Sequence, residues 1–86
     1  MKGLRWNPVK NEWLRITRGM SFDDLTNHGT FLGSRYNPAR AGQEMLLFEY
    51  RGYVWLVPYV NDRSGKFLKT LYPSRKYTKR YRQGVL

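Results

Sequence analysis

Apolar and aromatic residues cluster in two neighbouring segments that form the predicted centre of the fold. The segments Glu44–Tyr50 and Tyr53–Val60 are separated only by Arg51-Gly52, where glycine accepts the positive φ of a tight hairpin turn. The pairing that this turn imposes puts one apolar set on each face of the sheet: Phe48, Tyr50, Tyr53 and Trp55 on one, and Met45, Leu47, Val54 and Leu56 on the other. One face must cover helices, and the other is a second packing surface or a binding face.

Two short helices are predicted before this hairpin. Asn7-Pro8 provides an N-cap followed by proline at the first helical position, and Gly19 ends the first helix as a left-handed residue. Val9, Trp13 and Ile16 share one face of that helix, and we expect Trp13 in the core.

The second helix is predicted from Ser21, which caps it, to His28-Gly29, which ends it. Asp24 follows the cap by three residues and forms a variant of the capping box. Phe22 and Leu25 are expected to face the core.

The remaining segments complete an antiparallel meander. Thr30–Arg35 is the expected first strand, 36–43 is a loop, and 61–65 turns the chain into a last strand over Phe67–Tyr72. Pro58 has no N–H to donate to a neighbouring strand, so we expect a bulge or a sheet edge there. The predicted fold is α+β and forms one domain over residues 1–86. Two N-terminal helices pack on an antiparallel sheet of about four strands, and a short basic helix or tail follows.

The charge of the chain limits the classes of partner that it is expected to bind. Sixteen Lys and Arg residues against six Asp and Glu give a net charge of +10, which favours nucleic acid, an acidic protein or an anionic membrane as partner. One histidine and no cysteine predict neither a metal site nor a cofactor, and the absence of cysteine suits a reducing cytoplasm. No apolar run approaches the roughly 18 residues of a membrane span, and the start lacks the apolar region of a signal peptide.

The cations are concentrated near the end of the chain, in the stretch Lys66–Arg82. It contains seven cations and three tyrosines: Lys66, Lys69, Arg75, Lys76, Lys79, Arg80 and Arg82, with Tyr72, Tyr77 and Tyr81 between them. No acidic residue follows Asp62. Because cations bind phosphates and aromatic rings stack on bases, the stretch predicts an RNA-binding surface. The alternative is a solvated basic tail whose tyrosines pack back on the core.

Short motifs near both ends of the chain resemble the BrnT-type toxins, which belong to the RelE-like superfamily. The motifs are Trp6-Asn7-Pro8 with Lys10, Gly19-Met20-Ser21-Phe22-Asp23-Asp24, and Tyr72-Pro73-Ser74-Arg75-Lys76. The resemblance implies a RelE-like fold and the activity of an endoribonuclease toxin of a bacterial type II toxin–antitoxin system, which inhibits translation and growth. It also implies a cognate antitoxin that covers the active surface in a hetero-oligomer. Two positions depart from the family pattern, Thr17-Arg18 before the glycine and Pro73 after the last strand.

RNA cleavage requires a base for the 2′-hydroxyl, an acid for the leaving oxygen, and cations for the charge on phosphorus. The predicted catalytic residues are Arg75, Lys76, Lys69 and Tyr72. The predicted RNA-binding residues are Lys66, Lys79, Arg80, Tyr77, Tyr81 and Arg82. His28 is a weaker candidate because histidines at helix ends are usually structural.

Three functions remain open at this point. The first is an endoribonuclease toxin that acts on free or ribosome-bound RNA. The second is a non-catalytic RNA- or DNA-binding module, for which charge and tyrosines suffice. The third is a protein-interaction domain whose basic face docks an acidic partner, such as an antitoxin segment.

Overall fold

Three helices cover the two faces of one mixed sheet in the computed structural model, which describes residues 3–86. The elements in chain order are β1 (Leu4–Trp6), α1 (Pro8–Arg18), α2 (Phe22–His28), β2 (Thr30–Tyr36), β3 (Glu44–Tyr50), β4 (Tyr53–Asp62), β5 (Gly65–Leu68), β6 (Tyr72–Pro73) and α3 (Arg75–Arg82). The strand order is β1-β5-β4-β3-β2, and β6 also pairs with β4. The α+β prediction is therefore confirmed. The fully antiparallel sheet of about four strands is wrong, because β1 was not predicted and pairs with β5 in parallel.

The central hairpin has the predicted register. Phe48 pairs with Trp55, and Tyr50 pairs with Tyr53. The turn residues Arg51 and Gly52 both have positive φ, at 52° and 82°, as the tight turns that match strand twist require. A glycine at the second position makes this turn easy to form, so the local sequence decides the register of the whole hairpin.

The predicted last strand is interrupted. β5 pairs with the C-terminal part of β4, residues 59–62, and β6 pairs with Trp55 and Leu56 in its N-terminal half. The chain leaves the sheet between β5 and β6. The Lys69 N–H still donates to the Pro58 carbonyl at 2.8 Å. Pro58 remains in an unbroken ladder with β3, opposite Met45. On the other side of β4, residues 57–58 face the three residues 69–71, so the irregularity predicted at Pro58 is found there. Proline lacks the N–H on the side where β5 and β6 run, and the interruption lies there.

The first face of the sheet carries the larger core, which lies under α1 and α2. Its buried residues are Leu14, Met20, Phe22, Leu25, Leu46, Phe48, Val57, Tyr59, Leu68 and Leu71. The Trp6 ring, from β1, packs on the Phe22 ring with 5.7 Å between centroids. This face therefore joins all of the N-terminal elements to the central strands.

The orientation of α1 differs from the prediction. Asn11 and Leu14 are its buried residues, whereas Trp13 is about half exposed, so its predicted place in the core is wrong. The Asn11 side chain accepts a hydrogen bond from the Phe22 N–H at 2.7 Å and donates one to Asp23 at 3.0 Å. These bonds give the first residues of α2 hydrogen-bond partners. They require an orientation of α1 in which the polar Asn11 faces inward.

The second face of the sheet is covered by α3. Its core consists of Met45, Leu47, Val54 and Leu56, against which Leu32, Tyr72, Tyr77 and Leu86 pack. Ser74 caps α3 by accepting from the Tyr77 N–H at 3.1 Å. After the helix, Gly84 has a φ of 73° and the Val85 N–H bonds to the Arg80 carbonyl at 3.0 Å, which is a Schellman ending. The C-terminal basic segment is thus a helix, and the second apolar face is a packing surface.

The helices have 11, 7 and 8 residues. Within residues 3–86, no helix is long and apolar enough to cross a membrane.

Candidate nucleic-acid interface

A cleft of about 380 Å³ opens beside the point where the chain leaves the sheet between β5 and β6. It lies between the 37–43 loop and the 69–72 segment. Its lining residues are Asn37, Ala39, Arg40, Gln43, Pro58, Lys69, Thr70 and Tyr72. Two of these residues are cationic and none is acidic, so the cleft suits an anionic group.

The 37–43 loop is held by hydrogen bonds within itself. The Asn37 amide nitrogen donates to the Gln43 side-chain oxygen at 2.7 Å, and the Asn37 N–H donates to the Gln43 carbonyl at 2.9 Å. The Asn37 side-chain oxygen also accepts from the Ala39 N–H at 3.0 Å. Asn37 and Gln43 are buried while Arg40 is exposed. The loop is therefore a formed wall that presents one guanidinium at its surface.

The opposite wall is fixed by a residue from the end of α1. The Arg18 guanidinium donates to the Leu71 carbonyl and, at 3.4 Å, to the Thr70 hydroxyl. The Leu71 side chain is buried in the larger core. Arg18 and Leu71 together hold the segment that bears Lys69 and Tyr72, so Arg18 acts on the cleft as a positioning residue.

Lys69 and Tyr72 are the two predicted catalytic residues that line the cleft. Lys69 is exposed, and its ammonium lies 5.5 Å from the centre of the Phe67 ring. Tyr72 is half-buried, and its hydroxyl donates only a long bond, 3.8 Å, to the Met45 sulfur. A weakly held hydroxyl remains available to a ligand. The cleft thus combines an ammonium, a phenol and the Arg40 guanidinium.

The outer surface of α3 carries the other predicted cations. Arg75, Lys76, Lys79, Arg80 and Arg82 are all exposed. A second pocket of about 290 Å³ is lined by Tyr53, Arg75, Thr78, Lys79, Arg82 and Gln83. The Arg82 guanidinium also donates to the Gly52 carbonyl at 3.2 Å, which ties the end of the helix to the central turn. The two remaining predicted catalytic residues, Arg75 and Lys76, therefore belong to α3 and do not line the cleft.

The predicted base-stacking tyrosines of α3 differ in exposure. Tyr77 is half-buried against the second core, with the Lys76 ammonium and the Arg80 guanidinium each 5.8 Å from its ring centre. Tyr81 is exposed. Tyr81 consequently presents the more accessible ring. The Tyr77 ring instead packs on the second core and contacts the cationic groups of Lys76 and Arg80.

Two other candidates lie on the first face. The Lys66 ammonium is 5.4 Å from the ring centre of Tyr59, a residue of the larger core. His28 ends α2 and is exposed on that side of the molecule. The structure therefore separates Lys66 from Lys69, although only two residues lie between them in the chain.

None of the acidic residues lies on α3 or lines the cleft. All six are on α1, α2, β3 and β4: Glu12, Asp23, Asp24, Glu44, Glu49 and Asp62. Arg5 forms an ion pair with Asp62, and its hydrogen bond is the main cause that lowers the pKa of that carboxyl. Hydrogen bonds from Ser21 and Asn11, and the charge of Arg15, lower the pKa of Asp23. Arg5 and Arg15 thus pair with Asp62, Glu12 and Asp23, and no carboxylate of the described residues forms an ion pair with a cation of α3 or the cleft.

Sequence reasoning missed part of the cleft. Asn37, Arg40 and Gln43 belong to a stretch that is predicted only as a loop, and Arg18 stands out in the sequence only as a departure from the BrnT-type pattern. The proximity of the loop to the 69–72 segment depends on the order of strands in the sheet. No local pattern in residues 36–43 carries that information.

Comparison with protein-family models, with curated proteins and with solved structures found no match for this chain. The resemblance to BrnT-type toxins therefore stays a prediction from short motifs.

Proposed function

We propose that the protein is an RNA-cleaving toxin of a bacterial type II toxin–antitoxin system. It inhibits translation and growth, and a cognate antitoxin protein neutralises it in a hetero-oligomer. RNA binds along a surface that we name the cationic surface, made of Arg40, Lys69 and Tyr72 in the cleft and Arg75, Lys76, Lys79, Arg80, Tyr81 and Arg82 on α3. The observation that carries the proposal is the absence of any acidic residue from this surface, where a phenol and an ammonium line one cleft.

The charge distribution of α3 supports an anionic ligand. Five of its eight residues are exposed cations, and Arg75 and Lys76 occupy its first turn, where no acidic residue is present. Cations at the positive end of a helix dipole are unfavourable by some tenths of a kcal/mol each. Bound phosphates reverse the sign of that interaction, because they neutralise the side chains and interact with the dipole.

The cleft supports cleavage as well as binding. In RNA cleavage the 2′-oxygen bonds to the adjacent phosphorus as its proton leaves to a base, and the bond to the 5′-oxygen breaks as an acid protonates that oxygen. Lys69 and Tyr72 are the groups in the cleft that are able to transfer protons. The Arg40 guanidinium is suited to two phosphate oxygens at once. Arg75 and Lys76 follow Tyr72 closely in the chain and extend the same positive charge.

One observation favours the second candidate, a non-catalytic RNA-binding module. His28, the only histidine, lies on the first face, and none of the residues lining the cleft is a carboxylate. The usual metal-free general bases are therefore absent from the cleft. A binding module needs only the cations and the exposed ring.

Cleavage assays with matched variants separate the two functions. Lys69→Gln and Tyr72→Phe are expected to slow cleavage by about 100-fold or more, the usual contribution of a proton-transferring side chain, and to relieve growth arrest on expression. Arg75→Gln and Lys76→Gln weaken both effects through charge. Lys66→Gln and His28→Gln are the controls, since both residues lie on the first face and are expected to leave cleavage unchanged.

The measurements are single-turnover cleavage of a labelled RNA, mapping of its cleaved ends, and growth from a repressible promoter. Equal losses in Lys66→Gln and Lys69→Gln would place the chemistry outside the cleft. If the wild-type protein binds RNA but neither cuts it nor arrests growth, the binding module is the correct function.

The salt dependence of RNA binding tests the cationic surface by itself. The triple variant with Lys76, Lys79 and Arg80 changed to Gln is expected to bind single-stranded RNA more weakly. Each lost phosphate contact should make the slope of log K against log salt less steep by about 0.7. The control changes Lys10, Lys66 and Arg63 to Gln and removes the same charge elsewhere. Equal slopes in the two triple variants would mean that net charge, and not α3, binds the RNA.

A further inference from the structure

We propose that the outward face of α1 is a docking surface for an acidic amphipathic helix of a partner protein. Val9, Trp13 and Ile16 lie on this face with 78%, 47% and 80% of their surface exposed. We name these three residues the α1 stripe. The inference is independent of RNA cleavage, because the stripe lies on a helix of the first face and none of its residues lines the cleft.

The stripe is exposed because the helix is locked in place. Leu14 is buried in the larger core, and the buried Asn11 bonds to both the Phe22 N–H and Asp23. Arg15 adds bonds to Asp23 at 3.0 Å and to the Ser21 hydroxyl at 3.1 Å. Rotating α1 to bury the stripe would break these bonds and leave the buried Phe22 N–H without a hydrogen-bond acceptor, which is unfavourable for a buried donor. The fold therefore holds three large apolar side chains in water.

The spacing of the stripe fits one partner helix. Val9 and Trp13 are four residues apart, and Trp13 and Ile16 are three apart, which is the alternation of the two core positions in a coiled coil. Such a seam is narrower than the apolar face, at least about 100° wide, of a helix that packs on a broad core. A helix that lies in a membrane interface also presents a wider apolar face and is less well matched by three residues.

The charges around the stripe select an acidic partner. The Lys10 ammonium lies 4.8 Å from the Trp13 ring centre, and the Arg18 guanidinium lies 5.7 Å from it. Neither cation forms an ion pair within residues 3–86, whereas Glu12, the acid beside the stripe, is paired with Arg15. A carboxylate on a partner helix would pair with Lys10, whereas the Arg18 guanidinium already donates to the Leu71 carbonyl and the Thr70 hydroxyl and adds positive charge beside Trp13. A second copy of this chain would instead bring another protein of net charge +10 toward them.

A depression beside the stripe supplies an anchor point. It has a volume of about 340 Å³ and is lined by Asn7, Val9, Lys10 and Trp13. An aliphatic side chain of the partner helix fits this apolar depression while a carboxylate one turn away reaches Lys10. Trp13 is then the central residue of the interface, the place where large aromatic side chains contribute most to affinity.

A displayed library of randomised three-turn helices tests the proposal with the full chain as target. Peptides are selected on the wild-type protein after depletion on the Trp13→Ala variant. The expected outcome is enrichment of sequences with apolar residues at alternating spacings of three and four and with Glu or Asp beside them. The best labelled peptide is then expected to lose about thirty-fold or more in affinity with Trp13→Ala and to lose affinity also with Lys10→Glu.

Matched controls keep the result specific. Val85 is another exposed apolar residue outside the stripe, so Val85→Ser should bind the peptide as the wild type does, and circular dichroism confirms that each variant is folded. The proposal is overturned if no acidic helix is enriched or if the peptide binds Trp13→Ala equally well. It is also overturned if the stripe instead mediates self-association in sedimentation, or binding to phosphatidylglycerol vesicles, that Trp13→Ala abolishes.

Discussion

The two faces of the central sheet differ in what their helices present to solvent. On the first face, the core has ten buried residues, five of them on strands, and α1 and α2 carry three of the six acidic side chains. On the second face, one helix of eight residues covers four buried strand residues and carries five exposed cations. The cleft lies at the side of the 69–72 segment and is also free of acidic residues.

The difference indicates that the two faces of this single sheet have different roles, one in stability and the other in presenting charge. The first face joins elements that are distant in sequence and provides partners for their buried polar groups, so we expect it to supply most of the stability. The second face has a smaller core, and its cations repel one another without a ligand. A surface with that charge is retained more readily where a larger core on the opposite face offsets its cost.

The largest expected effect comes from paired truncations on β3. Leu46 and Leu47 are neighbours with 1% and 0% exposure, and they point to the first and second core respectively. Leu→Ala in a core costs about 2–5 kcal/mol. We expect the cost of Leu46→Ala to lie near the upper end of this range, because two helices close the larger core. We expect the cost of Leu47→Ala to lie near the lower end, because the single short helix α3 is able to shift into the cavity.

Urea unfolding of both variants measures the difference directly. RNA binding gives a second reading, since Leu47→Ala should disturb α3 and weaken binding at temperatures where Leu46→Ala remains folded and binds normally. A larger loss of stability in Leu47→Ala would reverse the assignment of the stabilising face.

The parts of the fold that local sequence determines were predictable. The Arg51-Gly52 turn fixes the register of β3 and β4, and the caps at Asn7 and Ser21 fix where α1 and α2 begin. Each of these depends on residues that are close in the chain. The same holds for the cations of α3, whose clustering is visible without any knowledge of the fold.

The parts that depend on distant partners were not predictable. β1 is three residues long and exists only because β5 lies beside it. The rotation of α1 follows from Asn11, whose hydrogen bonds to Phe22 and Asp23 outweigh the apolar pattern of the stripe. Arg40 joins Lys69 at the cleft because the sheet order brings the 37–43 loop to the 69–72 segment. Periodicity does not contain that information.

A smaller effect is expected from removing one hydroxyl that attaches α3 to the sheet. The buried Thr78 hydroxyl accepts a hydrogen bond from the Val54 N–H at 2.8 Å. Thr78→Val keeps the shape of the side chain and leaves this N–H without its acceptor, which should cost about 1–3 kcal/mol. Thr17→Val is the control, because Thr17 is exposed and its hydroxyl bonds within its own helix.

Thermal unfolding and RNA binding of the two variants are the measurements. If α3 is attached mainly through this bond, Thr78→Val also weakens RNA binding. Equal stabilities for the two threonine variants would mean that apolar packing alone holds the second face together.

The smallest expected effect concerns the polar contacts that join α1 to α2 on the first face. Hydrogen bonds from Ser21 and Asn11, with the charge of Arg15, lower the pKa of Asp23 below its ordinary value of 3.8. A carboxyl whose pKa is lower in the folded state stabilises the protein above the unfolded value, and this contribution is lost as the pH falls through the folded value. The wild-type protein should therefore lose stability below about pH 3.8 more steeply than Asp23→Asn, which lacks the titrating group.

Urea unfolding across an acidic pH series compares the wild type with Asp23→Asn and with a control, Asp24→Asn. The control removes a carboxyl from the same turn of α2 but keeps the bonds that Asp23 makes to Asn11 and Arg15. We expect it to retain the steep acid dependence of the wild type. A parallel acid dependence in wild type and Asp23→Asn would mean that these bonds orient α1 without stabilising the folded state. The rotation that exposes the α1 stripe would then have to be maintained by the burial of Leu14.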